Sequence, residues 1–275
     1  MTADLSRVGA LLLVGCGKMG GALLQGWLAR GVAASKVYVV EPALDPSRVT
    51  VPAGVNMVAA AADLPADLKP EIVVFAVKPQ VMGDVVPAFA GYAGTGAAFV
   101  SIAAGTPIRF FESALGDVAV VRVMPNTPAA VGHGMSVLCA NARTDARQRE
   151  VAEGLMAAVG AADWLEDEAL MDAVTAVSGS GPAYVFLLIE CLARAGEEVG
   201  LSADLARTLA LQTVAGAGAL AAQSEEDAAQ LRVNVTSPGG TTQAALEVLM
   251  AADGLQPLLT KAVKAAERRG KELGS

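Results

Sequence analysis

The run Leu-Leu-Leu-Val-Gly-Cys-Gly-Lys-Met-Gly at positions 11–20 ends an apolar stretch with glycines at 15, 17 and 20. Gly-x-Gly-x-x-Gly has a chemical use when a strand precedes it, a helix follows and an acidic residue stands roughly twenty positions on. Gly15 would permit a tight turn, Gly17 would let the backbone approach a pyrophosphate, and Gly20 would let the helix press on the sheet. The N–H groups that open the helix then face the phosphate charge. Cys16, Lys18 and Met19 complete this candidate dinucleotide turn, and Glu41 is the acidic residue. A bare strand-turn-helix without a ligand is the competing reading.

The same stretch resembles a lipoprotein cleavage site, with Leu13-Val14-Gly15 before Cys16 and Arg7 as its only charged lead. The flanks count against it. The apolar run from Val8 is short for a secretory core, and Asp4 offsets Arg7. After Cys16 the chain enters helical spacing at once, with Met19, Ala22, Leu23 and Trp27 on one face, where a lipid-anchored chain would need a polar tether.

Three other places carry candidate chemistry. Val77-Lys78-Pro79 leaves an apolar run that reads as a buried strand, and ligands of open parallel sheets sit beyond the carboxyl ends of strands. Lys78 there meets either a cofactor ribose or phosphate, or only solvent. Asn126, between Pro125 and Thr127-Pro128, has a stiff backbone that would frame a nicotinamide or simply build a double-proline turn. Thr236-Ser-Pro-Gly-Gly-Thr-Thr242 reads as a helix start, with Ser237 as cap and Pro238 in the first turn. Gly239 and Gly240 would bare N–H groups, and Thr241 and Thr242 add hydroxyls. Two glycines near a helix start cost stability, which points to a close-approaching guest such as a small carboxylate.

Other chemistries lack their parts. His133 is the one histidine and sits between glycines. No Ser/His/Asp set, carboxylate pair or metal cluster is visible, so no metal is expected. A carbonyl reductase commonly wants a His or Lys proton donor. An imine needs less, because its nitrogen is basic enough to arrive protonated.

The elements that must hold these residues alternate in the first half. Strands are expected at Val8–Val14, Lys36–Val40, Glu71–Val77, Ala98–Ile102 and Val118–Met124, with a weaker one at Gly134–Cys139 and a short apolar segment at Val55–Val58. Helical spacing falls at Val81–Ala90, Pro107–Leu115 and Asp145–Val159. From Glu166 only helices are expected: Asp167–Ser178, Gly181–Val199, Ala203–Gln223, Glu225–Asn234, Gly240–Ala251 and Leu255–Lys271. The fold class is therefore α/β, a Rossmann-like doubly wound sheet over 1–165 followed by an all-helical domain over 166–275.

A chain of 275 residues with 53% apolar, 17% charged and 4% aromatic content suits two domains of close-packed small residues. The net charge of −8 and the lack of a dense basic cluster argue against nucleic acid. No uninterrupted apolar run reaches membrane-spanning length, since Ala183–Ile189 is broken by Glu190. Cys16, Cys139 and Cys191 show no paired spacing and fit thiols in a reducing cytoplasm. Cys16 is accounted for either as a reactive thiol or as a small residue. The apolar helical half, Ala210–Ala222 with Gly216 and Gly218 above all, calls for burial in a homodimer or within its own domain.

GCGKMGG at 15–21, AVKPQ at 76–80, MPNTP at 124–128, DAVTAVSGSGPAY at 172–184 and VTSPGGTT at 235–242, in this order, resemble the pyrroline-5-carboxylate reductases along essentially the whole chain. The resemblance implies NADPH or NADH as cofactor, a cyclic imine carboxylate as substrate, and an interlocked homodimer that many members build into a decamer. Carried over by position, residues 15–20 with Val77, Lys78 and Pro79 hold the cofactor. Ser237, Gly239, Gly240, Thr241 and Thr242, helped by Asn234, hold the substrate carboxylate. Thr175 stands where the family has a hydroxyl near the imine; its competing use is a bond to its own helix backbone. Glu41 departs from the small or basic residue many NADPH-preferring members carry, and predicts that NADH competes well; Arg48 on the next loop is a possible phosphate partner. Around Ser178–Tyr184 there is no lysine of the kind β-hydroxyacid dehydrogenases use. A non-catalytic nucleotide sensor would explain the glycine turn but not VTSPGGTT.

Overall fold

Along β1 (Ala10–Val14), Leu11 and Leu13 face one core while Leu12 and Val14 face another, so the strand is buried on both sides. The computed structural model describes residues 4–43 and 51–274; Arg48 lies outside them. The sheet continues with β2 (Val37–Val40), β3 (Asn56–Val58), β4 (Pro70–Phe75), β5 (Ala98–Ser101), β6 (Ala119–Met124), β7 (Gly134–Ala140) and β8 (Gly160–Trp164). In β4, Ile72 and Val74 join the first core, Val73 and Phe75 the second. Helices α1 (Lys18–Ala29), α2 (Met82–Val85), α3 (Ile108–Leu115) and α4 (Ala146–Ala157) accompany the strands. Trp27 of α1 is fully buried and donates its indole N–H to the Leu155 carbonyl at 2.9 Å. The other core centres on Phe75, Phe89, Phe99 and Phe111, whose rings meet edge-on, stacked and tilted.

Strand order is β3-β2-β1-β4-β5-β6-β7-β8. The order reverses between β1 and β4, which is the crevice where such sheets take ligands. Three features depart from the sequence reading. β7 runs antiparallel to β6, because the connection through Thr127–Val131 is a single 3-10 turn, too short for a crossover. β8, parallel to β7, was not expected, since Gly-Ala-Ala-Asp-Trp has no β-branched residue. The expected helix at Val81–Ala90 is α-helical only over α2 and continues as a 3-10 segment, Val86–Tyr92, where Pro87 has no N–H to donate.

The chain forms two compact units, one through Gly179 together with the residues from Glu267 on, the other Ser180–Ala266. The first therefore extends past residue 165. Three anchors hold that extension: Met171 is buried in the phenylalanine core, and Glu168 pairs with Arg122 at 2.9 Å while also accepting the Ile108 N–H. Arg122 is almost fully buried, its side chain 8% exposed. Glu168→Ala strands that guanidinium and should cost about 2 kcal/mol, less than for a fully buried pair because Glu168 is partly solvated. The urea midpoint of the first unit measures it. Exchanging both residues for Met and Leu should recover most of the loss.

Between Glu168 and Gly179 the chain makes a 3-10 turn, then α5 (Met171–Val174), then a π-turn, Thr175–Gly179. The second unit holds α6 (Gly181–Glu198), α7 (Ala203–Gln223), α8 (Ala228–Asn234), α9 (Thr241–Leu249) and most of α10 (Leu255–Leu273). α6 and α7 pack together through Ala193, Ala206 and Ala210, with Gly196 against Ala206. Elsewhere these helices expose apolar side chains, Phe186 by 58% and Leu187 by 57%. Gly216 and Gly218 have open space beside them, so the close contact expected of them is not made within this chain. Glu168–Glu198 and Ala203–Gln223 are long and apolar enough to cross a membrane by length and composition. Neither is an uninterrupted apolar run: Glu190 and Arg194 break the first, Asp204 and Arg207 the second, without ending the helix.

Candidate functional site

Gly15 leaves β1 at φ +92°, a left-handed conformation that disfavours any side chain, and a Cβ there would also press on Val77 and the Ala76 carbonyl. Gly20 lies in the first turn of α1, where a Cβ would collide with the Gly15 carbonyl oxygen. Gly17, the N-cap of α1, is exposed and has nothing within 4 Å of a would-be Cβ. Gly15 thus makes the turn, Gly20 allows the close approach of α1, and Gly17 has open space beside it. Lys18 is exposed at the helix start, and Met19 half-buried behind it. Val77, Lys78 and Pro79 follow β4 across the crevice, Lys78 exposed.

Glu41 reaches the turn. Register pairs Val14 with Val40, so the residue after β2 stands beside the residues after β1. Its Oε2 accepts from the Cys16 N–H at 2.8 Å and its Oε1 from Ala43 at 3.1 Å. Cys16 is buried, and burial, with the Glu41 charge second, pushes its thiol up to about 11. The thiol stays protonated at neutral pH and is no nucleophile. Of the two readings, a small side chain accounts for Cys16.

A cavity of about 600 Å³ opens at the carboxyl edge of the sheet, lined by Pro79, Gln80, Gly105, Thr106, Asp172 and Thr175 among others. Thr175 therefore sits in the unit that carries the glycine turn, although its place in the chain assigned it to the helical half. Its Oγ1 donates to the Met171 carbonyl at 2.9 Å, so the backbone bond weighed against a chemical role is present. That leaves the oxygen's lone pairs to accept. Asn126 engages both ends of its amide on protein: Oδ1 accepts from the Met135 N–H at 2.8 Å, and Nδ2 donates to the Ser178 carbonyl and hydroxyl at 3.2 and 3.3 Å. Ser178 and Asp172 were not singled out from sequence; the Ser-Gly-Ser-Gly break at 178–181 was the available signal. His133 is exposed, and among the described residues no group of side chains fits a metal ion.

In the second unit the start of α9 differs from expectation. Gly240, not Ser237, is the N-cap. Ser237–Gly240 is a turn closed by the Gly240 N–H on the Ser237 carbonyl at 3.0 Å, with Pro238 setting its entry and Gly239 at φ +70°. The Gly239 N–H is likewise taken, by Gln243 Oε1 at 2.7 Å. The glycines therefore bend the chain rather than bare their N–H groups. What the helix start offers a guest is the N–H groups and hydroxyls of Thr241 and Thr242, since first-turn N–H groups have no partner within a helix. Asn234 turns to its own surroundings, accepting from Gln230 and donating to Glu226, both at 2.8 Å.

A glycine turn at the switch point of a Rossmann-type sheet, followed by a helical unit, is the plan of a two-part dinucleotide-dependent enzyme. The chain is 44% identical to pyrroline-5-carboxylate reductase of Pseudomonas aeruginosa over 96% of both chains, and 37% identical to that of Pisum sativum over 94% of both. It belongs to the pyrroline-5-carboxylate reductase family. Residues 168–273 match the family model for pyrroline-5-carboxylate reductase dimerisation, and residues 10–105 the model for NADP oxidoreductase, coenzyme F420-dependent. Among solved structures, a pyrroline-5-carboxylate reductase from Coxiella burnetii superimposes with a TM-score of 0.90 at 35% identity, covering 98% of this chain and all of that one. A Plasmodium falciparum pyrroline carboxylate reductase with NADP bound gives 0.81 at 31% identity, covering 98% and 99%.

Proposed function

We propose that this protein reduces 1-pyrroline-5-carboxylate to L-proline with NADH or NADPH, the last step of proline synthesis. The observation that carries the reading is the open glycine turn at the β1–β4 switch point in a chain of this family. The residues fit a dinucleotide: Gly17 offers a surface without a side chain, and Cys16–Gly20 with Lys78 and Pro79 would hold the pyrophosphate and ribose. When bound, the reduced nicotinamide supplies the hydride.

Thr175 accepts the N–H of an imine that arrives protonated, because its own hydrogen is engaged at Met171. The N–H groups and hydroxyls of Thr241 and Thr242, with the dipole of α9 and the Ser237 hydroxyl, hold the carboxylate. Orientation of the two reactants is the main catalytic contribution. NADH is the better hydride source, because the Cys16 N–H holds the Glu41 carboxylate at the turn, where a 2′-phosphate would meet a like charge. The exposed apolar faces of α6 and α7 are buried in a homodimer, which assembles further into a decamer, and the enzyme works in the cytoplasm.

Absorbance at 340 nm, followed with pyrroline-5-carboxylate and each cofactor, tests the reading. Loss of absorbance that depends on the imine is expected. Folded protein that binds nucleotide but turns over no imine would overturn it in favour of a nucleotide sensor.

A further inference from the structure

A π-turn inside a helix is uncommon and is frequent at functional sites. Here it spans Thr175–Gly179, and the end of β6 with the residues after it grips it twice. Asn126 Nδ2 donates to the Ser178 carbonyl and hydroxyl, while the Met124 side chain occupies the space a Cβ on Gly179 would need. Asn126 is itself fixed from behind, its Oδ1 accepting the Met135 N–H at the start of β7. The side chain bridges three segments, with its NH2 engaged at Ser178 and its oxygen at Met135.

We infer that Asn126 is a positioning residue, a clip that fixes the register of the π-turn and so holds Thr175 at the cavity it lines. The inference rests on the reductase reading for its kinetic part. The π-turn's register sets which side Thr175 presents, and a change to α-helical register would rotate it away from Pro79, Gln80 and Thr106. Asn126 does this without touching cofactor or substrate.

Asn126→Asp is the variant of choice. It keeps the acceptor for Met135, so the β6–β7 turn survives, but sets a carboxylate oxygen against the Ser178 carbonyl. Ser178→Ala, which loses only the hydroxyl contact, serves as a milder second variant. Expected for Asn126→Asp are a kcat reduced about tenfold or more, an NADH Kd within twofold of wild type, and amide exchange at 175–179 at least tenfold faster. In Thr175→Val the same change should have almost no further effect on kcat, because the clip acts through that hydroxyl. A weakened NADH Kd, or kcat losses that multiply independently, would overturn the inference and make Asn126 a nicotinamide contact. Unchanged exchange at 175–179 would overturn it as well, and exchange needs no turnover. Wild-type protein inactive on the imine would instead sink the reductase reading, leaving exchange alone to decide the clip.

Discussion

Gly20→Val is expected to abolish cofactor binding and to destabilise the first unit together, whereas Gly17→Val should do only the former. At Gly20 the new Cβ has no room, because the Gly15 carbonyl already stands there. α1 must shift off the sheet, disturbing the contact of Trp27 with Leu155 and the core around it. Overpacking of this kind costs about 3 kcal/mol. The displaced helix start would also lose the N–H bonds proposed to hold the pyrophosphate. Two such charged bonds are worth about 4 kcal/mol, a loss of roughly 10³-fold in affinity. At Gly17 the backbone is ordinary, with φ −74°, and nothing lies within reach of a side chain. Valine there should cost at most about 1 kcal/mol, the penalty of a poorer cap. It should nevertheless block the ligand's approach. Denaturation midpoints and NADH titrations of the two variants separate the effects. A Gly17→Val protein with normal NADH affinity would mean that the dinucleotide does not cross this turn.

That contrast marks where the sequence stops. It identifies which glycines matter, since strand, turn and helix are each local patterns, and β1, β4 and α1 lie where the pattern places them. It does not distinguish the glycine that must be bare for packing from the one that must be bare for a guest. That depends on which atoms lie nearby, and the packing of α1 on the turn after β1 and on Ala76 after β4 decides it. The π-turn is equally illegible, because Asp172–Gly179 carries an ordinary helical spacing of apolar residues and its register is set by Asn126, distant in the chain. β8 was missed because its Gly and Ala take strand form only through pairing with β7. At α9 the local signal itself misled. Ser-Pro is a good helix opening, but Gly239 adopts a positive φ and moves the cap to Gly240, while the helix expected over Gly240–Ala251 forms from Thr241.

Removing the charge of Glu41 should move cofactor preference toward NADPH. The carboxylate is held by two N–H groups, from Cys16 and Ala43, and projects at the end of β2, where an adenosine ribose lies in folds of this kind. A 2′-phosphate carries roughly −1.5 to −2 charges, so its approach to Glu41 is repulsive, and like charges so placed cost several kcal/mol. A ribose 2′-OH donates to the same oxygen instead. Glu41→Gln removes the charge and keeps an oxygen for the Cys16 N–H, giving up only the weaker, exposed bond from Ala43. The ratio of NADH to NADPH catalytic efficiencies should fall about 100-fold, equivalent to about 2.7 kcal/mol. The wild-type preference should also narrow at high salt, because Glu41 is half-exposed and its repulsion is screened. The Cys16 thiol provides a check independent of turnover: with the Glu41 charge gone, one of the two causes holding it near 11 is lost, and its pKa must fall. A lowered thiol pKa with an unchanged cofactor ratio would show that the charge was removed and that the 2′-position never meets it.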